Sequence, residues 1–94
     1  MAEEVVLNED KHRFEIRVDG QLAGFTRFHI SNGVAIFDHT EVKGDYTGRG
    51  LAGHVVREAL DNIRARGRIR VRPVCPYVQR FIRRHPDYAD LVVT

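Results

Sequence analysis

The sequence contains little cysteine and no long apolar run, and each shortage excludes a class of protein. Its one cysteine, Cys75, can form neither an intramolecular disulfide nor a cysteine metal cluster, so this thiol serves either packing or chemistry. No apolar run approaches the roughly 18 residues that span a bilayer. The acidic start, with Glu3 and Glu4, does not resemble a secretion signal. We therefore predict a cytoplasmic protein without a membrane partner.

Metal-binding motifs and repeats are also missing. The histidines His12, His29 and His54 do not show metal-ligand spacing, so we predict no metal. The 94 residues, without a linker or low-complexity segment, are sufficient for one domain with a single core, which we expect to be a monomer or weak dimer. Within that domain, residues 1–11 could form either an edge strand or a mobile arm.

What the sequence does contain is an uneven distribution of charge. Residues 1–47 hold five Lys or Arg and nine Asp or Glu, whereas residues 48–94 hold ten Arg and four Asp or Glu. The two halves therefore carry net charges of −4 and +6. A basic half of this kind favours an anionic ligand or a nucleic acid.

Apolar periodicity predicts that the fold begins with antiparallel strands. Residues 14–18 alternate between apolar and charged side chains, which is typical of a strand with one buried face. Asp19 followed by Gly20 is a hairpin signal. The returning strand, about residues 21–30, contains Gly24, where we expect a bulge. A third strand follows over residues 34–42.

From Gly50 onward the period becomes that of a helix of roughly 16 residues, which ends near Gly67. Residues 68–74 then alternate as a fourth strand, parallel to the third, which completes a βαβ unit with a right-handed crossover. Pro76 suits the first position of a second helix that runs to about Arg84. Residues 91–93 form a short apolar tail that we expect to dock on the core.

The segment between the third strand and the first helix, residues 40–53, has the features of a phosphate-binding loop. Its glycines Gly48, Gly50 and Gly53 let the backbone approach a ligand closely. The first unpaired amides of the helix and the positive end of its dipole favour an anion there. The simpler alternative is a glycine-rich connection that only reverses the chain.

The carboxyl ends of parallel strands meet at one edge of a sheet, where ligands bind in open α/β folds. In this chain one such end carries residues 39–42 and the glycine-rich loop, and the other carries Cys75. Two separated segments therefore converge on one crevice. We predict an active site there.

Four short motifs resemble those of the GNAT acyltransferases, in particular a short single-domain branch of N-acetyltransferases. They are His-Thr-Glu-Val at 39–42, Gly-Arg-Gly-Leu-Ala at 48–52, Cys-Pro-Tyr-Val at 75–78 and His-Pro-Asp-Tyr at 85–88. The resemblance implies a GNAT-like three-layer sandwich of α+β type, in which antiparallel strands precede a βαβ unit and a second helix. It also implies acetyl-coenzyme A (acetyl-CoA) as cosubstrate and an amine as acceptor.

Carried over to this chain, the resemblance places the cosubstrate on the loop and the neighbouring strand end. The backbone near Thr40 and Val42 would pair with the pantetheine arm, and the loop amides would hold the pyrophosphate. The loop residues concerned are Thr47, Gly48, Arg49, Gly50, Leu51, Ala52 and Gly53.

Two positions depart from the family pattern. Thr47 stands where Gln or Arg is usual; its hydroxyl could cap the helix, and Arg49 or Arg80 could supply the missing donor. Ile82 stands where larger members carry the tyrosine that protonates the departing coenzyme A thiolate. Cys75 is the candidate substitute, because a helix N-terminus stabilises a thiolate. Both a two-step route through an acetyl-cysteine and direct transfer to the amine stay open.

His39 and Glu41 complete the candidate catalytic residues. Either could act as a general base, His39 near neutral pH, and either could instead be a polar rim residue at a strand end. The alternative for Cys75 is inert packing. The residues that we interpret as structural are Tyr77, His85 and Tyr88.

Two other classes of function stay open. A degenerate acyltransferase fold could bind coenzyme A or a protein partner without turnover. A nucleic-acid module could use Arg64, Arg66, Arg68, Arg70 and Arg72. Alternation would put the last three as a stripe on one strand face. No aromatic residues interleave with that stripe, so we do not expect nucleic acid to be the partner. If the protein is an acetyltransferase, the expected acceptor is a small-molecule or peptide amine.

Overall fold

The computed structural model describes residues 2–93 as five strands, two helices and two 3-10 turns. The strands are β1 (Glu3–Asn8), β2 (Arg13–Val18), β3 (Gln21–Ser31), β4 (Val34–Val42) and β5 (Arg70–Pro73). The helices are α1 (Leu51–Arg66) and α2 (Pro76–Arg84), and the 3-10 turns span Gly44–Tyr46 and Pro86–Leu91. No helix within residues 2–93 has the length and apolar character needed to cross a membrane.

The strands form one sheet in the order β1-β2-β3-β4-β5. Neighbours are antiparallel except β4 and β5, which are parallel and are joined by α1. The predicted βαβ unit is therefore confirmed. Of the two alternatives for the first eleven residues, the structure shows the edge strand, β1.

The β2–β3 hairpin turns where the sequence predicted it. Asp19 and Gly20 both have positive φ, 49° and 85°, as the common two-residue hairpin turn requires. Ile16 pairs with Gly24 whereas Arg17 pairs with Leu22, so the strand carries the expected bulge beside Gly24. A Cβ on Gly24 would lie 2.5 Å from the carbonyl oxygen of Glu41, so glycine here lets β3 pass close to the end of β4.

Helix α1 buries its apolar stripe against β2, β3 and β4. Its buried residues are Leu51, Val55, Val56, Ala59, Leu60 and Ile63. They meet a sheet face formed by the alternating inward residues of the strands, which include Phe14, Ile16, Phe28, Phe37 and Val71. Removing water from this surface supplies the main driving force for the fold.

Helix α2 and the turn Pro86–Leu91 lie beside α1 in the same layer. The Tyr88 hydroxyl donates a 2.6 Å hydrogen bond to Asp61 of α1. The Arg64 guanidinium bonds the Asp90 carboxylate and the Asp87 carbonyl. The pKa of Tyr88 is raised above its ordinary value. Burial of the hydroxyl is the larger cause, and the hydrogen bond to the Asp61 carboxylate is the second.

The chain end docks as predicted, because the Val93 amide donates to the Val71 carbonyl at 2.9 Å. The α+β class is also as expected, with antiparallel strands before a βαβ unit and a second helix. Within residues 2–93 both helices cover one face of the sheet, and the opposite face bears charged side chains such as those of Arg13 and Glu15.

The arginine stripe expected on the fourth predicted strand is shorter in the structure. Arg70 and Arg72 lie exposed in β5, but Arg68 has a φ of 62° and precedes the strand. A residue in the left-handed region does not continue the extended alternation. The expectation that all three arginines share one strand face was therefore wrong.

Candidate functional site

The crevice lies where β4 and β5 part. Both Val74 and Cys75 donate their backbone amides to the Phe37 carbonyl, at 2.9 and 2.8 Å, and this ends the β4–β5 pairing. Strand β4 nevertheless continues to Val42. Its last residues therefore pair with β3 on one side and present an open edge on the other.

A bulge in β4 decides which residues face that edge. Phe28 pairs with Phe37 and Arg27 with His39, so Asp38 is an extra residue in β4. After this extra residue, the edges toward which successive backbone groups of β4 point are exchanged. The Phe37 carbonyl faces β5, yet the Lys43 amide faces β3, where it donates to the Ala23 carbonyl at 2.8 Å.

Alternation along the strand then fixes the direction of the remaining backbone groups. Those of His39 and Glu41 face β3, as does the Lys43 amide. Those of Thr40 and Val42 face the open edge. An extended ligand laid along β4 could bond to them as an added strand does.

The glycine-rich loop lies at the end of this edge. Gly48 and Gly50 have φ of 81° and 74°, which explains the need for glycine at both positions. The first helical hydrogen bond of α1 runs from the His54 amide to the Gly50 carbonyl. The amides of Leu51, Ala52 and Gly53 precede that bond, so they are available to an anion at the helix N-terminus.

Thr47 does not cap α1, contrary to one suggestion from the sequence. The N-cap residue is Gly50, and no side chain of residues 2–93 caps the helix. The Thr47 hydroxyl instead donates to the Gly44 carbonyl at 3.0 Å and closes the preceding 3-10 turn. Arg49 lies over the Tyr46 ring, 5.4 Å from its centroid, on the same loop.

Cys75 and Thr40 meet at the base of the crevice. The Cys75 thiol donates to the Thr40 hydroxyl oxygen at 3.5 Å, and that hydroxyl lies 2.9 Å from the hydroxyl of Thr26. Thr26 is fully buried and Cys75 is 5% exposed. The predicted convergence of the two strand ends is confirmed at the level of side chains.

His39 and Glu41 form a separate pair. Adjacent side chains of a strand point to opposite faces, so both lie across the sheet from Thr40 and Cys75. His39 Nε2 is 3.2 Å from Glu41 Oε1, and both side chains are about half exposed. The structure therefore does not join Cys75 and His39 in a catalytic dyad.

The face that carries His39 also holds a buried carboxylate. Glu15 is 3% exposed and accepts hydrogen bonds from Arg13, Arg17 and Asn8. Burial by itself raises the pKa of Glu15, but these three donors outweigh it and the pKa lies below the ordinary value. Arg13 also covers the Phe25 ring, at 4.3 Å from the centroid.

A second depression, between α1 and α2, contains residues that the sequence did not assign to a site. Its lining consists of Gly53, Arg57, Tyr77, Phe81, Arg84 and His85. Their spacing along each helix, three or four residues, was a signal that could have placed them on facing stripes. Arg80 lies exposed on α2 outside this lining, so its role with the cosubstrate stays a prediction.

Comparison with known proteins identifies the family of this chain. Residues 13–91 match the family model of the GCN5-related N-acetyl-transferases. Protein NATD1 of Bos taurus is 30% identical over 78 residues, which cover 81% of this chain and 68% of that protein. Protein NATD1 of Danio rerio is 26% identical over 90 residues, with coverages of 92% and 81%.

Solved structures show the same fold. A GCN5-like protein from Staphylococcus aureus superposes with a TM-score of 0.73 at 15% identity, over 96% of this chain and 87% of that one. A second structure is that of the N-acetylglutamate synthase of Neisseria gonorrhoeae, solved with coenzyme A and N-acetyl-glutamate. It superposes with a TM-score of 0.59 at 15% identity, over 73% of this chain and 19% of that one. The GNAT-like fold expected from the motifs is thus confirmed, and the chain belongs to the family of GCN5-related N-acetyl-transferases.

Proposed function

We propose that this protein binds acetyl-CoA and transfers its acetyl group to a small-molecule or peptide amine in the cytoplasm. The observation that carries the proposal is the junction of the open β4 edge with the N-terminus of α1. The backbone groups of Thr40 and Val42 suit the amide-rich pantetheine arm, and the amides of residues 51–53 suit the pyrophosphate. One continuous surface thus offers what these two parts of coenzyme A require.

The side chains divide between the two faces of the sheet in a way that fits the reaction. Bound acetyl-CoA would supply an acetyl group activated as a thioester. On the open face, His39 or Glu41 would take the proton that the acceptor nitrogen loses. On the helical face, Cys75 would donate the proton that the departing thiolate gains. The burial of Cys75 favours this role over direct contact with the acceptor.

Amine acetylation by the purified protein tests the activity. The wild type should acetylate a panel of amines, and Cys75→Ala should lower kcat more than KM, because the thiol acts only as the leaving group departs. Cys75→Ser keeps a proton donor of similar size and should retain more activity than Cys75→Ala. Mass spectrometry of the intact protein distinguishes the rival two-step route, since that route adds one acetyl group to Cys75.

A binding module without turnover is the alternative. Two departures from the family pattern favour it: Ile82 stands at the position of the tyrosine, and Thr47 stands at the position of the Gln or Arg. Binding of acetyl-CoA without acetylation of any amine, by wild type and Cys75→Ala alike, would support this alternative over the enzyme.

A further inference from the structure

Strand β1 forms an edge of the sheet, and one side of its backbone has no partner strand among residues 2–93. The Asp19 amide donates to the Ala2 carbonyl at 2.9 Å, so the backbone of Ala2 faces β2. Backbone groups alternate in direction along a strand, so those of Glu3, Val5 and Leu7 face the free edge. They present N–H and C=O groups in the arrangement to which a further strand would bond.

The pairing between β2 and β3 leads to the same assignment. The Phe28 amide donates to the His12 carbonyl at 2.8 Å, so every second residue of β2, counted from His12, faces β3. Glu15 therefore faces the other way, toward β1, where it pairs with Val6. The two neighbours of Val6 accordingly direct their backbone groups away from β2, to the free edge.

A depression, here called the β1 groove, lies beside this edge on the helical face of the sheet. It has a volume of about 330 Å³ and is lined by Val5, Leu7, Phe14, Glu58, Asp61 and Asn62. Its apolar side is formed by strand residues that pack on the core, and its polar side is formed by α1. Alternate side chains of a strand added beside Val5 and Leu7 would enter the groove.

The charge of the groove selects the side chains that could enter it. Glu58 and Asp61 are the ionisable residues of the lining, and both are exposed. The depression thus combines apolar strand residues with two carboxylates. Lysine and arginine match it, because their methylene stems can lie on apolar surface while their charged ends reach a carboxylate.

Two cationic side chains lie at the ends of the groove and not in its lining. His54 precedes Glu58 by one helical turn; its Nδ1 is 2.6 Å from the Glu3 carboxylate, and its Nε2 is 3.9 Å from that of Glu58. Arg66 follows Asn62 by one turn and donates to its side-chain oxygen at 2.9 Å. The stretch between these two ends is therefore acidic.

A second copy of this chain fits the edge poorly. Pairing of two β1 strands would bring the Glu58 and Asp61 side chains of both copies to one junction. Like charges on facing elements destabilise such a pair. The acidic groove therefore favours a basic partner over self-association.

From these observations we infer that β1 is the docking edge for an extended basic segment of a partner protein, which adds to the sheet as an antiparallel sixth strand. Lysine or arginine would occupy alternate positions, with their side chains beside Glu58 and Asp61. The residues between them would be β-branched, because they would lie beside the half-buried Val6. The edge is three strands away from β4, so the inference is independent of acetyl-CoA binding.

NMR titration of the isotope-labelled protein with synthetic peptides tests the inference. A peptide in which lysine alternates with valine should shift the amide signals of Val5, Leu7 and Glu58 and saturate. A peptide with glutamate in place of lysine should not bind at the same concentrations. If the lysine peptide does not bind, or if the glutamate peptide binds as tightly, the inference is wrong.

Substitutions at Glu58 test the charge of the groove. Glu58→Gln should weaken binding of the lysine peptide about two- to threefold, and Glu58→Lys about fivefold, as expected for exposed ion pairs. Asp61 is left unchanged, because it accepts the Tyr88 hydroxyl. Asp87→Lys is the matched control, since Asp87 is an exposed acid outside the lining. Equal weakening by Asp87→Lys and Glu58→Lys would overturn the assignment of the groove.

Methylation of the peptide nitrogens tests the strand pairing without altering the protein. In an antiparallel pair, residues that share a face and bond to each other direct their amides toward the partner strand. N-methylation of the lysines should therefore abolish binding, whereas N-methylation of the valines should preserve most of it. The strand addition is wrong if the lysine-methylated peptide binds as tightly as the valine-methylated one.

The protein alone provides the last arm. Sedimentation velocity should show a monomer at the concentrations used for the titrations. A dimer whose formation shifts the amide signals of Val5 and Leu7 would assign the edge to a second copy and overturn the inference.

Discussion

Cys75 and Thr40 lie 35 residues apart in the sequence, yet the Cys75 thiol donates to the Thr40 hydroxyl at 3.5 Å. This contact exists because the bulge at Asp38 turns Thr40 toward the helices. Without the bulge, the alternation that starts at the buried Phe37 would have pointed His39, and not Thr40, toward the helices. The bulge thus determines both the side chain that meets the thiol and the backbone groups that face the open edge.

The contact between Thr40 and Thr26 predicts a specific pattern of stabilities. Thr40→Val should cost about 1–3 kcal/mol of unfolding free energy, because the buried Thr26 hydroxyl loses its partner. The double variant Thr26→Val/Thr40→Val should recover much of that loss, since both polar groups are then gone. Urea denaturation measures all three proteins. A double variant less stable than Thr40→Val would contradict the account.

The glycine-rich loop predicts that backbone conformation controls binding. Gly48→Ala introduces a Cβ at a φ of 81°, where there is room for it but the conformation is unfavourable by about 1–2 kcal/mol. The loop should relax, and acetyl-CoA should bind at least about tenfold more weakly if one amide contact to phosphate is lost.

Gly20→Ala is the matched control for that change. Gly20 has a φ of 85° and equally open surroundings, but it lies in the β2–β3 turn. Gly20→Ala should lower the free energy of unfolding by about as much as Gly48→Ala does. It should leave the dissociation constant for acetyl-CoA unchanged. If both substitutions weaken binding of acetyl-CoA equally, the glycine-rich loop is not part of the binding site.

The buried Glu15 predicts how stability depends on pH. Its pKa is lowered in the folded protein, because hydrogen bonds from Arg13, Arg17 and Asn8 outweigh the effect of burial. Its contribution is therefore fully present above the unfolded value of about 4.3 and is lost as the pH falls through the folded pKa. Glu15→Gln should lower stability at pH 7 and flatten the decline between about pH 5 and the folded pKa.

Glu4→Gln, on the exposed edge strand, should leave that decline in place. Urea unfolding at a series of pH values gives both profiles. Curves of Glu15→Gln and wild type that stay parallel down to the acid limit would show that Glu15 does not contribute in this way.

The hydrogen bond from Tyr88 to Asp61 predicts an effect at alkaline pH. The pKa of Tyr88 is raised, so its contribution is present below the unfolded value of about 10 and is lost as the pH rises through the folded pKa. Tyr88→Phe should cost about 1.5–3 kcal/mol at pH 7, because the bonded acceptor is a carboxylate. It should also remove from an absorbance titration a tyrosine transition that lies above the ordinary tyrosine value. Tyr46→Phe should leave that transition unchanged.

The sequence predicted the regular elements well because their periodicities are local. The alternation over residues 34–42 and the helical spacing after Gly50 matched β4 and α1 closely. The convergence of Cys75 with the β4 end also followed, because a βαβ unit places both carboxyl ends at one edge.

What the sequence could not predict depends on contacts between distant strands. The Asp38 bulge arises from the pairing with β3, and no local signal marks it. For this reason the sequence grouped Cys75, His39 and Glu41 as one catalytic set, whereas the sheet separates the cysteine from the other two. The depression between α1 and α2 was missed for a similar reason, since it exists only once α2 packs beside α1.

An NMR titration with acetyl-CoA tests the central claim most directly, namely that the open β4 edge and the loop form one binding surface. The account predicts that the amide signals of Thr40, Val42 and residues 48–53 shift together and saturate at one dissociation constant. The absence of shifts at millimolar acetyl-CoA, or shifts confined to the opposite end of the sheet around His12 and His29, would contradict it.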